Sequence, residues 1–102
     1  MTGVRLAPLA RRDLDEIWDY TAATWGEARA ERYLSDIAAG FDRIAAAPAR
    51  GRDRSVFLDG LRSITVKRHE VFWVVRPEAP VVLRVVHQRR NWAALVYADR
   101  LG

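Results

Sequence analysis

Three strand-like runs crowd the 33 residues from Gly60 to Trp92, and together they leave a chain of 102 residues little choice but to build around a sheet. They are Leu61 to Lys67, Glu70 to Arg76 and Val81 to Arg89. Each is rich in β-branched or aromatic residues and bounded by turn signals, so the segment predicts three strands joined by short connections. Such connections make neighbouring strands antiparallel.

The first half of the chain has a different period. A short strand is expected at Val4 to Ala7, after which Pro8 suits the first turn of a helix, where its missing N–H costs nothing. Ala10, Leu14, Ile17, Trp18, Thr21 and Trp25 repeat at helical spacing and predict one buried stripe, with Asp13, Asp15, Glu16 and Asp19 largely outside it. Gly26 breaks the pattern. A second helix is expected from about Glu27 to Ala47, ended by Pro48, with Ala30, Tyr33, Leu34, Ile37, Ala38, Phe41, Ile44 and Ala45 on one face. The short joint at Gly26 folds the helices into an antiparallel hairpin. Neither stripe is fully buried by the other helix, so both need the sheet. The expected fold is α+β: an N-terminal strand and a two-helix hairpin packed on a largely antiparallel sheet, with residues 1–102 forming one domain.

Half of the residues are hydrophobic, enough for one core that buries about 60–70 % of the unfolded surface. With no Cys in the chain, a disulfide framework and thiolate metal sites are excluded, and a reducing cytoplasm is the expected setting. No apolar run reaches the roughly 18 residues of a membrane span, and no signal-peptide block opens the chain. Charge divides unevenly: residues 1–49 hold six Arg against eight acids, whereas residues 50–102 hold eleven Arg and Lys against five. The strand half is the basic half. A concentrated basic face points to an acidic protein, a nucleic acid or a nucleoprotein assembly as partner, or to a solvated surface with none.

Strict alternation places Val81, Leu83, Val85 and His87 on one face of the last strand, and Val82, Arg84, Val86 and Gln88 on the other. The middle strand is apolar on both faces from Val71 to Val75, which predicts a central position. One helical layer covers one face of the sheet, so the other is expected to show an apolar strip rimmed by Arg, the mark of a docked partner. Trp18, Trp25 and Tyr33 lie on helical stripes and read as core. Trp92, beside Arg89 and Arg90, reads equally as an anchor on a target or as a cap on the sheet edge through a short helix from about Trp92 to Ala98.

In order and spacing these features resemble the ParE toxins of the RelE/ParE toxin–antitoxin superfamily. The resemblance rests on Leu14-Asp15-Glu16-Ile17-Trp18-Asp19-Tyr20, Trp25-Gly26, Tyr33-Leu34, the Pro48 to Arg52 connection, Gly60-Leu61-Arg62, His69-Glu70-Val71-Phe72-Trp73 and Leu83-Arg84-Val85-Val86-His87. It implies a toxin that inhibits DNA gyrase and so replication. It implies neutralisation by a cognate antitoxin whose flexible segment folds over the toxin, and acidic side chains there would complement Arg62, Arg84 and Arg89. The residues expected on the target or antitoxin face are Arg62, Lys67, Arg84, Arg89, Arg90 and Trp92. No membrane partner and no sequence-specific nucleic-acid binding are implied. The chain departs from the family after His87, where Arg89 is followed by Arg90 and Asn91 rather than by an Asp two places on.

The RelE branch offers the alternative, a ribosome-dependent mRNA endoribonuclease. That chemistry needs a group to activate a ribose hydroxyl, cations on the phosphate and an acid for the leaving oxygen, for which Arg62, Lys67, Arg84 and His87 are the available residues. Against it, His87 shares a face with Val85 and reads as a structural histidine, while His69, at a turn, reads as solvated or backbone-bonded. Ser35, Ser55 and Ser63 lack any His and Asp arrangement for covalent catalysis. Two separated His without Cys do not make a metal site. No catalytic residue and no cofactor is therefore expected. An inert binding module of the same fold is a third reading.

Overall fold

A computed structural model describes residues 3–98. In chain order it contains β1 (Arg5–Leu6), α1 (Pro8–Trp25), α2 (Glu27–Ala46), β2 (Arg52–Asp53), β3 (Arg62–Val66), β4 (His69–Val74), β5 (Val81–His87) and one 3-10 turn (Trp92–Ala94). The sheet order is β1-β5-β4-β3-β2, with β1 parallel to β5 and every other pair antiparallel. The α+β architecture expected from the sequence is the one observed.

The helices form because each carries one apolar stripe and a defined stop. Pro8 occupies the first turn of α1, and Gly26, at φ 96°, both ends α1 and starts α2: its N–H bonds the Ala22 carbonyl and its own carbonyl accepts from Ala30. A side chain at that φ is strained, so Gly alone turns the hairpin freely. The residues α1 buries are Ala10, Asp13, Ile17 and Thr21. Asp13 thus belongs to the buried stripe, and Trp25, at the helix end, does not: it is 63 % exposed. Ile17, Ile37, Phe41 and Ile44 of the helices pack on Val66, Val71, Trp73, Val82 and Val85 of the sheet.

The opposite face of the sheet is not open. Phe72, Val74, Val81, Leu83 and Val86 are at most 3 % exposed, because Phe57 and Leu58 of the β2–β3 loop and Trp92, Leu95 and Tyr97 of the C-terminal segment lie over them. The expected apolar strip is covered by the chain itself. Beneath that cover Glu70, 1 % exposed, accepts hydrogen bonds from Ser63 and Thr65 at 2.6 Å each, and Arg54 bonds Ser63 Oγ at 2.9 Å. The buried carboxylate is thereby satisfied, as burial of a charge requires. The Arg54 guanidinium lies 4.9 Å from the Trp92 ring centre, and the Trp92 ring meets Phe72 edge-on at 5.3 Å. Trp92 is a cap on the sheet, and the short helix expected to follow it is a single 3-10 turn leading into extended chain.

Two local features escaped the period-2 reading. Phe72 pairs with Arg84 but Trp73 pairs with Val82, so Leu83 is an extra residue, and the bulge turns both Val82 and Val85 toward the helices. Strict alternation along β5 therefore fails at Leu83. The two-residue strand β2 falls where only a connection was expected. Its approach is fixed by Gly51, at φ 97°, where an added Cβ would stand 2.5 Å from Trp73 Cη2; the Trp73 indole N–H donates to the Pro48 carbonyl at 2.9 Å.

Candidate functional site

Beyond the bulge in β5, Arg84 pairs across from Phe72 and its guanidinium reaches Asp13 of α1. Its Nε and Nη2 donate to the two oxygens of Asp13 at 2.8 and 2.9 Å, the Val85 N–H bonds the same carboxylate at 2.9 Å, and Nη1 reaches the Val96 carbonyl at 3.2 Å. Arg84 is 8 % and Asp13 5 % exposed. The bidentate pairing raises the Arg84 pKa further above its already high value. Arg84, expected on the contact face, is thus a buried tie between α1, β5 and the C-terminal segment. Its charge is neutralised inside the molecule.

Beside this tie a cleft of about 660 Å³ opens between the helix hairpin and the β4–β5 end of the sheet. Ile17, Tyr20, Thr21 and Trp25 of α1 form one wall, Arg29 and Tyr33 of α2 another, and His69, Val85 and His87 the sheet side, with Arg68 and Arg90 at the rim. Tyr20 and Trp25 are exposed by 69 % and 63 %, and the Arg29 guanidinium sits 4.9 Å over the Trp25 ring. Solvent-facing aromatics beside cations are the composition of a protein-binding anchor.

A hydrogen-bonded line crosses the cleft floor. The Arg68 N–H donates to Tyr33 Oη at 3.1 Å, and the Tyr33 hydroxyl is hydrogen-bonded to His69 Nδ1 at 2.6 Å. The His69 and His87 rings meet edge-on at 5.5 Å, and His87 Nδ1 accepts the Arg89 N–H at 3.1 Å. His87 Nδ1 is thus an acceptor, so that ring carries no proton on this nitrogen. Burial, then the neighbouring His87, pushes the His69 pKa down to about 4, with Asp13 opposing. His69 is therefore a neutral structural partner of Tyr33, not the solvated or backbone-bonded turn residue expected.

The six expected contact residues do not share one surface. Arg90 lines the cleft. Arg89 is exposed just before it, and Lys67 is exposed on the β3–β4 turn with its Nζ 3.9 Å from Asp36. Arg62 stands at the far end of β3, Trp92 caps the opposite sheet face, and Arg84 is buried. Tyr20, Arg29 and Arg68 were not expected on a contact face, and Trp25, read as core, is exposed instead. A signal for Trp25 was present: it lies immediately before the breaking glycine, where a helix overhangs its support. Among the described residues no group of three or more His, Cys, Asp or Glu is placed to hold a metal ion, and none of the helices is long and apolar enough to cross a membrane.

Comparison with known proteins adds a consistent set of likenesses. The family model described as the ParE toxin of type II toxin–antitoxin systems, parDE, matches residues 4–92. Toxin ParE1 of Mycobacterium tuberculosis strain H37Rv is 40 % identical over 87 residues, covering 84 % of this chain and 89 % of that protein. Toxin ParE of Escherichia coli is 33 % identical over 102 residues, covering 99 % and 98 %. A solved structure of the chromosomal ParDE system from P. aeruginosa superposes with a TM-score of 0.73 at 21 % identity, covering 85 % of this chain and 96 % of that one, a likeness of fold.

Proposed function

The chain belongs to the ParE toxin family of type II toxin–antitoxin systems, and on that premise we propose that a cognate antitoxin docks in the cleft and that the freed toxin inhibits DNA gyrase by binding it, with no catalytic step of its own. The observation that carries the first part is the juxtaposition of Tyr20 and Trp25 with Arg29, Arg68 and Arg90 around an open cleft. An amphipathic, acidic antitoxin segment matches that surface, its apolar side chains seated on the aromatics and its carboxylates on the rim. Arg89 and Lys67 adjoin the rim residues Arg90 and Arg68 in sequence. Arg62 stands apart from it, at the far end of β3, and Arg84 is withdrawn from it by its pairing with Asp13.

The second part is supported by the engagement of Arg84, one of the four residues available to a nuclease, and of His69, the second histidine of the cleft. A nuclease needs a free cation at the scissile phosphate and a group that titrates near neutral pH. Arg84 is tied to Asp13, and His69 is tied to Tyr33 with its pKa near 4. The test is a pair of reactions with the purified protein: gyrase with supercoiled DNA, and a ribosome programmed with mRNA. Accumulated cleaved DNA with intact mRNA is the expected result, and cut mRNA with unaffected gyrase overturns it. His87→Gln separates the mechanisms again. Removing a general acid or base lowers cleavage about 100- to 10,000-fold, whereas inhibition by binding persists in a variant that folds normally.

A further inference from the structure

Four arginines line the β2–β3 side of the sheet, Arg50, Arg52 and Arg62 at its end away from the cleft and Arg43 over β3. Arg62 opposes Trp73 on one side and Asp53 on the other. Gly51 rests on the Trp73 ring, which holds its chain neighbours Arg50 and Arg52 at that rim. Arg43, in the last turn of α2, brings its guanidinium down beside Gly40, where Val66 and Ile64 of β3 also approach. Arg43, Arg50 and Arg52 are exposed and Arg62 is half-buried.

None of the four makes an ion pair among the described residues, in contrast to Arg5, Arg54, Lys67 and Arg84. Across from Arg62 the Asp53 carboxylate offsets part of this charge: the Ser55 N–H donates to it at 2.8 Å, and that residue's hydrogen bonds, more than the Arg62 charge, hold its pKa below the usual value. Four cations outnumber the carboxylates beside them, Asp42 and Asp53, and an arriving polyanion relieves the repulsion that is left. All four are arginine, whose planar fork matches phosphate oxygens two at a time. The large exposed aromatics, Tyr20 and Trp25, both lie in the cleft, and the indole at the centre of this edge, Trp73, is 1 % exposed. A protein partner would find no aromatic anchor here. Arg52 pairs with Ser63 and Arg62 with Asp53, so successive charges project from opposite faces around a strand two residues long. The result is a charged ridge, suited to a repeating row of phosphates rather than to a single small anion.

We infer that the β2–β3 edge binds the phosphodiester backbone of duplex nucleic acid through Arg43, Arg50, Arg52 and Arg62, without reading its sequence. Contacts of this kind position a protein on a duplex and carry no base information. The inference is independent of what occupies the cleft.

The test is fluorescence anisotropy of a labelled duplex of about 20 base pairs titrated with the full chain across a salt series starting near 50 mM. Four neutralised phosphates give a slope of log K against log salt of about −3.6. The variant Arg43→Gln/Arg50→Gln/Arg52→Gln should bind at least about tenfold more weakly at the lowest salt, with its slope reduced by about 2.7. The charge-matched variant Arg11→Gln/Arg12→Gln/Arg32→Gln, at exposed helix positions, should keep the wild-type slope. Unfolding midpoints are read for all three proteins, and Arg50→Glu alone, at an exposed turn, serves if the triple variant does not fold. Absence of duplex binding at low salt overturns the inference, as does an equal loss in both triple variants, which reduces the effect to net charge. Binding of a polyglutamate of matched charge as tightly as the duplex also overturns it, in favour of an acidic protein.

Discussion

Asp13 and Arg84 show how strongly a single pair shapes this molecule. A helix residue that looks like one of four solvent-facing acids is instead held by two guanidinium hydrogen bonds and one backbone N–H from β5. Removing one member leaves the other charged and buried. Asp13→Ala is expected to cost about 3–5 kcal/mol, a large part of the stability of a domain this size, read as a lower urea midpoint. His69 makes a prediction in pH. Its pKa is pushed from the ordinary 6.5 to about 4, burial being the larger cause and His87 the next. Between those values the unfolded chain binds a proton that the folded chain does not, so acid favours unfolding. The contribution of His69 is fully present above about pH 6.5, is lost as pH falls toward about 4, and levels off below. Urea midpoints measured at about pH 7, 5.5 and 4 should decline, and His69→Gln should decline less over the same range.

At the scale of elements, Gly26 and Gly51 have nearly the same φ and very different surroundings. A Cβ on Gly26 meets nothing within 4 Å, while one on Gly51 meets the Trp73 ring at 2.5 Å and the Ser63 carbonyl at 2.9 Å. Gly26→Ala should therefore cost only backbone strain, about 1–2 kcal/mol, and Gly51→Ala about 3 kcal/mol or more, because strain and overpacking combine. Thermal unfolding of the two variants checks the order. The same contrast explains how much the sequence disclosed. Both helices were legible because eighteen and twenty residues repeat a period many times. The three long strands were legible from β-branched runs, and the family from the order of its motifs. A strand of two residues has no period, and β2 was invisible. The bulge at Leu83 changes which face every later residue of β5 meets, and no residue type announces it. In the candidate site, Arg90 was legible as an exposed cation. The cleft wall at Trp25 was not, because its spacing fits the buried stripe while the helix has already passed beyond the sheet. Ala10, Asp13, Ile17 and Thr21 form a stripe of their own, and a carboxylate there together with a lone Arg among the valines of β5 was a readable hint of the buried pair.

At the scale of the whole molecule, two tryptophans stand in opposite surroundings, Trp92 packed on the sheet and Trp25 exposed at the cleft. Trp92 is packed on Phe72 and under Arg54, and Trp92→Ala should lower stability by about 2–3 kcal/mol. Trp25 supports little besides Arg29. Trp25→Ala should leave the unfolding midpoint within about 0.5 kcal/mol of wild type, yet under the proposed function it should weaken antitoxin binding about 30-fold, measured by calorimetry with the purified antitoxin. The physical root of this contrast is the chain's own cover over the second sheet face. With helices on one side and the β2–β3 loop and C-terminal segment on the other, both sheet faces are covered among the described residues, and under the proposals above recognition falls to the cleft, the turns and the sheet edge. Side chains at those places can be exchanged without repacking the interior. A gene duplicated in one genome could therefore drift to a new, non-cross-reacting partner through surface substitutions alone, each intermediate still a folded protein.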